Sequence, residues 1–438
     1  LKPYELSITE ASSRIREGTL SPVGLAESLL DRIDEIEARL EAWVTVNRDQ
    51  VMRDAEESTR NLREGSPRSG VHGIPVGVKD IYFTKGMKTT MGSPIYGDFV
   101  PTVDADMVTA IKEAEGIILG KTETTEFALH DPAPTRNPWN TGHTPGGSSS
   151  GSAAAVASGM CQVAFGSQTG GSVIRPASYC GIVGIKPTYD LLSRENVFPL
   201  SWSLDHVGYM TRTTQDAHIM LEALTGKKNE WHHRVWAPKV GLLAGYFKEN
   251  ATEEVWQGFE KAVAEIWGEG AEVETAALPK SFNLVPDVHR VIMSVETAAV
   301  HEDMFKKRGD DYRSYMRGFI SSGLLVPATA YLRAQRLRGQ IIQDMVKLIG
   351  QFDCLICPSA TDSAPEGLEW TGSPAFNVPW SLTGLPSITV PSGLTEDGLP
   401  LGLQIIGTPY TEWELLRIAG WCEKKLGFES RPIDPRGS

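Results

Sequence analysis

Three separated segments carry the residues able to do chemistry. GGSSSGSAAAVAS (146–158) and GSQTGGSVIRPASYCGIVGIKPT (166–188) each set serine hydroxyls among glycines. Glycine removes side chains from around a hydroxyl and tolerates positive φ. Successive free N–H groups can then converge on one spot, as a developing oxyanion requires. In the run Thr169-Gly170-Gly171-Ser172, the serine is the natural nucleophile and the four backbone amides are its oxyanion hole. The third segment, GIPVGVKDIYF (73–83), holds Lys79 among Val76, Val78 and Ile81. A lysine on a buried strand is pushed toward its neutral form, and a neutral amine can accept a serine proton. One hydroxyl of Ser148, Ser149 and Ser150 could relay that proton, although serines before an alanine-rich stretch are also ordinary helix caps. Together the pieces imply acyl transfer through an activated serine, with lysine in place of histidine.

Other motif readings fail on context. GSSSG (147–151) matches G-x-S-x-G, but that elbow must follow a strand, and RNPWNTGHTPG (136–146) contains none. Gly142–Gly147 is followed by serine rather than the lysine of a phosphate loop, and no HExxH zinc motif occurs. None of the nine histidines neighbours the serine segments in a telling pattern; His143 comes nearest, and His232 and His233 sit in a polar stretch. Cys354 and Cys357 form a CxxC with no second pair, so two small apolar residues on a buried strand are the expectation.

Something must hold these segments together, and the hydrophobic pattern indicates what. Residues 7–62 read as helices, beginning with a capping box at Ser7 and Glu10 and including 21–40 with Pro22 in its first turn. From residue 73 short apolar strands (73–83, 116–123) alternate with a helix over 104–115. Long helical patterns fill about 215–350, notably 253–270 and 329–350. Strand signals return at 352–358, 385–391 and 399–407, and a helix over 411–427 closes the chain. This alternation predicts an α/β fold, a large sheet covered by helices on both faces. We read one domain over 1–438: a helical N-terminal region (1–65), a core of about 70–215 carrying the motifs, and a helical excursion of about 215–350.

Composition narrows the classes. The 438 residues include 42 Lys and Arg against 55 Asp and Glu, a formal charge of −13 that argues against a general nucleic-acid binder. Five cysteines do not make a disulfide framework, no apolar run is long enough for a membrane span, and no signal-peptide pattern is present. The expectation is a cytoplasmic protein with neither nucleic-acid nor membrane partners.

The motif text resembles the amidase signature family, from GIPVGVKDI through TPGGSSSGSAAAVASG and GSQTGGSVIRPASYCGIVGIKPT to SLDHVGYMTRT (203–213), with CPSA, TGLPSITVPSG and LPLGLQIIG further on. The resemblance implies a mixed twisted sheet surrounded by helices. It implies Ser172 as nucleophile, Ser148 as the intermediate serine, Lys79 as base and Ser149 as an auxiliary hydrogen-bonding residue, with no metal or organic cofactor. Three departures stand out. Gln168 occupies a position where many members carry Asp, and Ser381 one where Asn is common. GGSVIR in place of GGSIR moves the arginine to Arg175, a form found in malonamidase-like members, where the arginine can bind a substrate carboxylate; an internal salt bridge is the competing role. Trp202, Phe376 and Trp380 are candidate pocket residues. The function implied is hydrolysis of a linear amide, anilide or carbamate by water through an acyl-serine, with a homodimer allowed. The rivals are an amidotransferase subunit passing ammonia to a partner, and a non-catalytic binding protein of the same fold. YDLLSRENVFPLSWSLDH (189–206) departs from the pattern expected of amidotransferase subunits.

Overall fold

In the central strands successive apolar residues divide between two cores. Val163 and Phe165 pack in one hydrophobic cluster while Ala164 packs in the other; likewise Ile118 faces away from Ile117 and Leu119. Side chains alternate across a sheet, so strands buried at every residue require cover on both faces. The computed structural model describes residues 1–65, 67–232, 237–268 and 272–432. His233 and residues 269–270 lie outside them.

Eleven strands, β1 (Trp43–Val46), β2 (Pro75–Lys79), β3 (Ile117–Thr122), β4 (Val163–Gln168), β5 (Val183–Lys186), β6 (His206–Thr211), β7 (Lys239–Leu243), β8 (Glu272–Ala276), β9 (Cys354–Pro358), β10 (Ser387–Leu394) and β11 (Pro400–Ile406), form one sheet. Their order is β1-β3-β2-β4-β6-β5-β10-β11-β9-β7-β8. The sheet is mixed: β3, β2 and β4 run parallel, as do β9, β7 and β8, while the strands between them pair antiparallel. The α/β expectation is met.

The N-terminal helices Ile8–Arg16, with the Ser7–Glu10 capping box in place, and Pro22–Leu40 form as the pattern predicts. Two expectations need correction. The N-terminal region is not wholly helical, because β1 interrupts it and pairs with β3. Glu37 makes the turn into β1, its carboxylate accepting the N–H groups of Ala42 and Trp43 at 3.2 and 2.8 Å. Nor is the middle region purely helical, since β7 and β8 extend the sheet beyond β9. Cys354 and Cys357 are buried on β9, as expected of apolar strand residues. Among the described residues no helix is long and apolar enough to cross a membrane.

Candidate active site

The parallel strands β2 and β4 place their carboxyl ends side by side, with Val78 opposite Phe165. Lys79 ends β2 and is completely buried. Its Nζ donates to Ser148 Oγ at 2.6 Å and to Ser167 Oγ at 2.9 Å. Burial drives the amine well below the ordinary lysine range, and the Asp205 carboxylate opposes that shift. Burial also raises Asp205, to about 6, although Thr169 Oγ1 and the N–H groups of Leu200 and Ser201 donate to it.

Ser148 lies just before the helix Ser150–Ala157, and the Gly147–Ser148 peptide is cis. Its carbonyl accepts from Thr125 N–H at 3.3 Å, tying it to the segment after β3. The capping role open to the serine run is not what the side chains do. Ser149 is the N-cap residue but makes no cap bond. Its Oγ instead accepts from Ser167 N–H at 3.3 Å and donates to Ser167 O at 3.4 Å. Ser150 Oγ donates to Gly146 O. Gly166 permits this approach, since a Cβ there would sit 2.9 Å from Ser149 Oγ.

Ser172 follows β4 on the Thr169-Gly170-Gly171 loop and is nearly buried, at 8 % exposure. Among the described residues no polar atom makes a hydrogen bond to its hydroxyl, so the contact to Ser148 expected of a relay is not closed here. Gly171 is required by packing, because a Cβ would fall 2.5 Å from Asn377 Oδ1.

The sequence reading overlooked Ser167. It sits on β4, and knowing that it meets Lys79 requires the pairing of β2 with β4, which no local pattern contains. A cavity of about 430 Å³ opens beside Ser167 and Thr169, with Asp205, Arg194, Phe198 and Trp202 in its walls. Trp202 therefore does line a cavity. Phe376 and Trp380 do not. Both are fully buried against Phe247, whose ring centroid lies 5.0 Å from Phe376 and 6.2 Å from Trp380. Their apolar area is better removed from water in the core than held at a pocket wall.

Arg175 is buried, and its Nη2 donates to Gly147 O at 2.7 Å and to Thr371 Oγ1 at 3.3 Å. Among the described residues, Nε and Nη1 have no hydrogen-bond partner. No carboxylate among the described residues forms the internal salt bridge weighed against carboxylate binding, and burial lowers the pKa of the guanidinium. Two unpaired donors on a buried cation are costly in an apolar interior.

Comparison with known proteins places this geometry in context. The family pattern described as Amidase matches residues 24–416. A glutamyl-tRNA(Gln) amidotransferase subunit from Geotalea daltonii is 34% identical over 479 aligned positions, covering 98% of this chain and 99% of that protein. A crystal structure of an amidase superposes with a TM-score of 0.89 at 30% identity, over 96% of this chain and all of the other. A structure of a protein complex bearing on the evolutionary origins of an s-triazine catabolic enzyme matches with the same TM-score at 27% identity, over 98% of this chain and 100% of that one.

Proposed function

The chain belongs to the amidase family of hydrolases acting on C–N bonds, and on that premise we propose that it cleaves a linear amide, anilide or carbamate through an acyl-serine intermediate. Ser172 attacks the carbonyl, its proton passing through Ser148 to neutral Lys79. The backbone amides of residues 169–172 hold the oxyanion, and the relay returns the proton to the departing amine, which leaves poorly without it. Water then releases the acyl group by the same route. Ser167 and Ser149 act in support, Ser167 fixing the lysine amine and Ser149 fixing Ser167. The observation that carries the reading is the fully buried Lys79 amine held 2.6 Å from Ser148 Oγ, at the end of the strand beside the one that leads into the Ser172 loop.

The preferred substrates carry a carboxylate near the scissile bond, as in the malonamidase-like variant. What supports this is Arg175, a buried guanidinium whose Nε and Nη1 have no hydrogen-bond partner among the described residues. The direct test is a panel of amides, anilides, esters and carbamates, with and without a carboxylate, given to the purified protein. Ser172→Ala should remove turnover, and activity above about one part in 10³ would refute the nucleophile. Arg175→Ala should depress carboxylated substrates alone; an equal loss on neutral amides would make it a structural residue.

The amidotransferase relatives support a second reading, in which ammonia released at the same serine passes to a partner. Turnover by the isolated chain favours hydrolysis. Activity that appears only with partner proteins favours transfer.

A further inference from the structure

Each carbonyl of the loop before Ser172 takes part in a hydrogen bond. Thr169 O is 2.9 Å from His289 Nε2, Gly170 O accepts from Ser381 Oγ at 2.7 Å, and Gly171 O accepts from Arg175 N–H at 3.0 Å. Within a trans peptide the C=O and the next residue's N–H point in opposite directions in one plane. Pinning these three oxygens therefore aims the N–H groups of Gly170, Gly171 and Ser172 the other way. Among the described residues those three amides have no protein acceptor, which leaves them free for an oxyanion.

Two of the three pins are side chains from distant parts of the chain. His289 lies on the helix Val285–Arg308 and is 4 % exposed. Facing a carbonyl, its Nε2 must carry the proton. Ser381 is completely buried and takes its own direction from Gln168. Gln168 Oε1 accepts the N–H groups of Val173 and Ile174 at 2.9 and 3.0 Å, which turns its Nε2 to donate to Ser381 Oγ at 3.1 Å. With that lone pair occupied, the serine proton is committed to Gly170 O. A carboxylate at 168 could accept the same two amides but could not donate to Ser381. The two departures at 168 and 381 thus meet as one hydrogen-bonded unit.

Resting on the serine-nucleophile reading above, we propose that His289 and the Gln168–Ser381 pair are positioning residues that hold the oxyanion-binding amides in place from behind, without touching the reacting atoms. The test compares His289→Ala, His289→Gln and Ser381→Ala with the unsubstituted protein. The readouts are kcat and KM on the best amide of the substrate panel, the rate of phosphonylation by a fluorophosphonate, and thermal unfolding. Loss of a direct oxyanion donor costs about 10²–10³ in kcat. Loss of a pin behind it should cost less, about 10- to 100-fold in both kcat and phosphonylation, with KM within about threefold. His289→Gln, which keeps an N–H donor, should recover most of the loss. Folded alanine variants that phosphonylate and turn over at the original rate would overturn the proposal. So would a lowered Tm with kcat unchanged, or a rise in KM alone. If His289→Ala fails to fold, Ser381→Ala and His289→Gln decide on the same readouts. Ser172→Ala, run alongside, separates the two ideas: labelling that survives it sinks the nucleophile reading, whereas its loss leaves that reading intact whatever the positioning variants do.

Discussion

Lys79 must be uncharged before it can take a proton, and its surroundings are built for that. The hydrogen-bond partners of its Nζ are hydroxyls, Ser148 and Ser167, and burial holds the amine well below the ordinary lysine range. Activity should therefore fall as pH is lowered through the amine's folded-state pKa. The linkage to stability has the same sign. A depressed lysine costs no stability above its unfolded pKa, and the protein loses stability as pH falls toward the folded value. Lys79→Met, with no charge to bury, should lose at least about 10²-fold in kcat/KM, and its Tm relative to the unsubstituted protein should rise as the solution is acidified. Near-normal kinetics would remove Lys79 as base. Glycine density and a β-rich flank are local signals, so the residues point to Lys79, to Ser172 and to the run 148–150, and the family resemblance is what singles out Ser148. Ser167 is silent there, since its part depends on which residue of one strand lies beside the end of another.

Elements set the walls around these residues. The 189–206 segment is tied to the middle helices by Glu296, which accepts from Ser201 Oγ and Ser203 Oγ at 2.6 Å each and from Tyr331 at 2.8 Å. Arg338 adds bonds to Leu382 O and Ser203 O. Glu296→Ala leaves the buried Ser201 hydroxyl unpaired, which should cost about 1–3 kcal/mol, and removes the partner of the half-buried Ser203 and Tyr331. It should also alter KM more than the fluorophosphonate rate, which kinetics on both reagents would resolve. At the other end of the fold, burial raises Glu37 to about 7 against the pull of its two backbone N–H bonds. A raised carboxyl contributes stability fully below its unfolded pKa and loses it as pH rises through the folded one. The Tm advantage of the unsubstituted protein over Glu37→Gln should therefore be larger at about pH 4.5 than at about pH 8. The elements that escape the sequence reading do so for a physical reason. β8 alternates exposed Glu272 and Glu274 with buried Val273, and β1 is four residues long, so neither presents the apolar run that marks β2, β3 or β9.

At the scale of the whole molecule, one sheet joins the motif-bearing strands to a middle region whose local pattern is helical. That region contributes β7 and β8 to the sheet, and through His289 it reaches a residue 120 positions away in the chain. Alternation of strands and helices makes the α/β class readable, whereas contacts over such separations are set by packing alone. Phe376 and Trp380 illustrate the same limit: aromatic residues on what reads as a loop look like pocket walls until the partner Phe247 is known. Trp380→Ala should cost about 3–5 kcal/mol in unfolding experiments, with the order of preferred substrates unchanged. The relay itself is tested most directly by fluorophosphonate labelling across pH, read by intact mass and peptide mapping, in the unsubstituted protein and in Lys79→Met. A lysine-driven relay should give one adduct, on Ser172, forming more slowly as pH falls and nearly absent without Lys79. An adduct on Ser148 or Ser149, or a rate indifferent to the loss of the lysine, would contradict it.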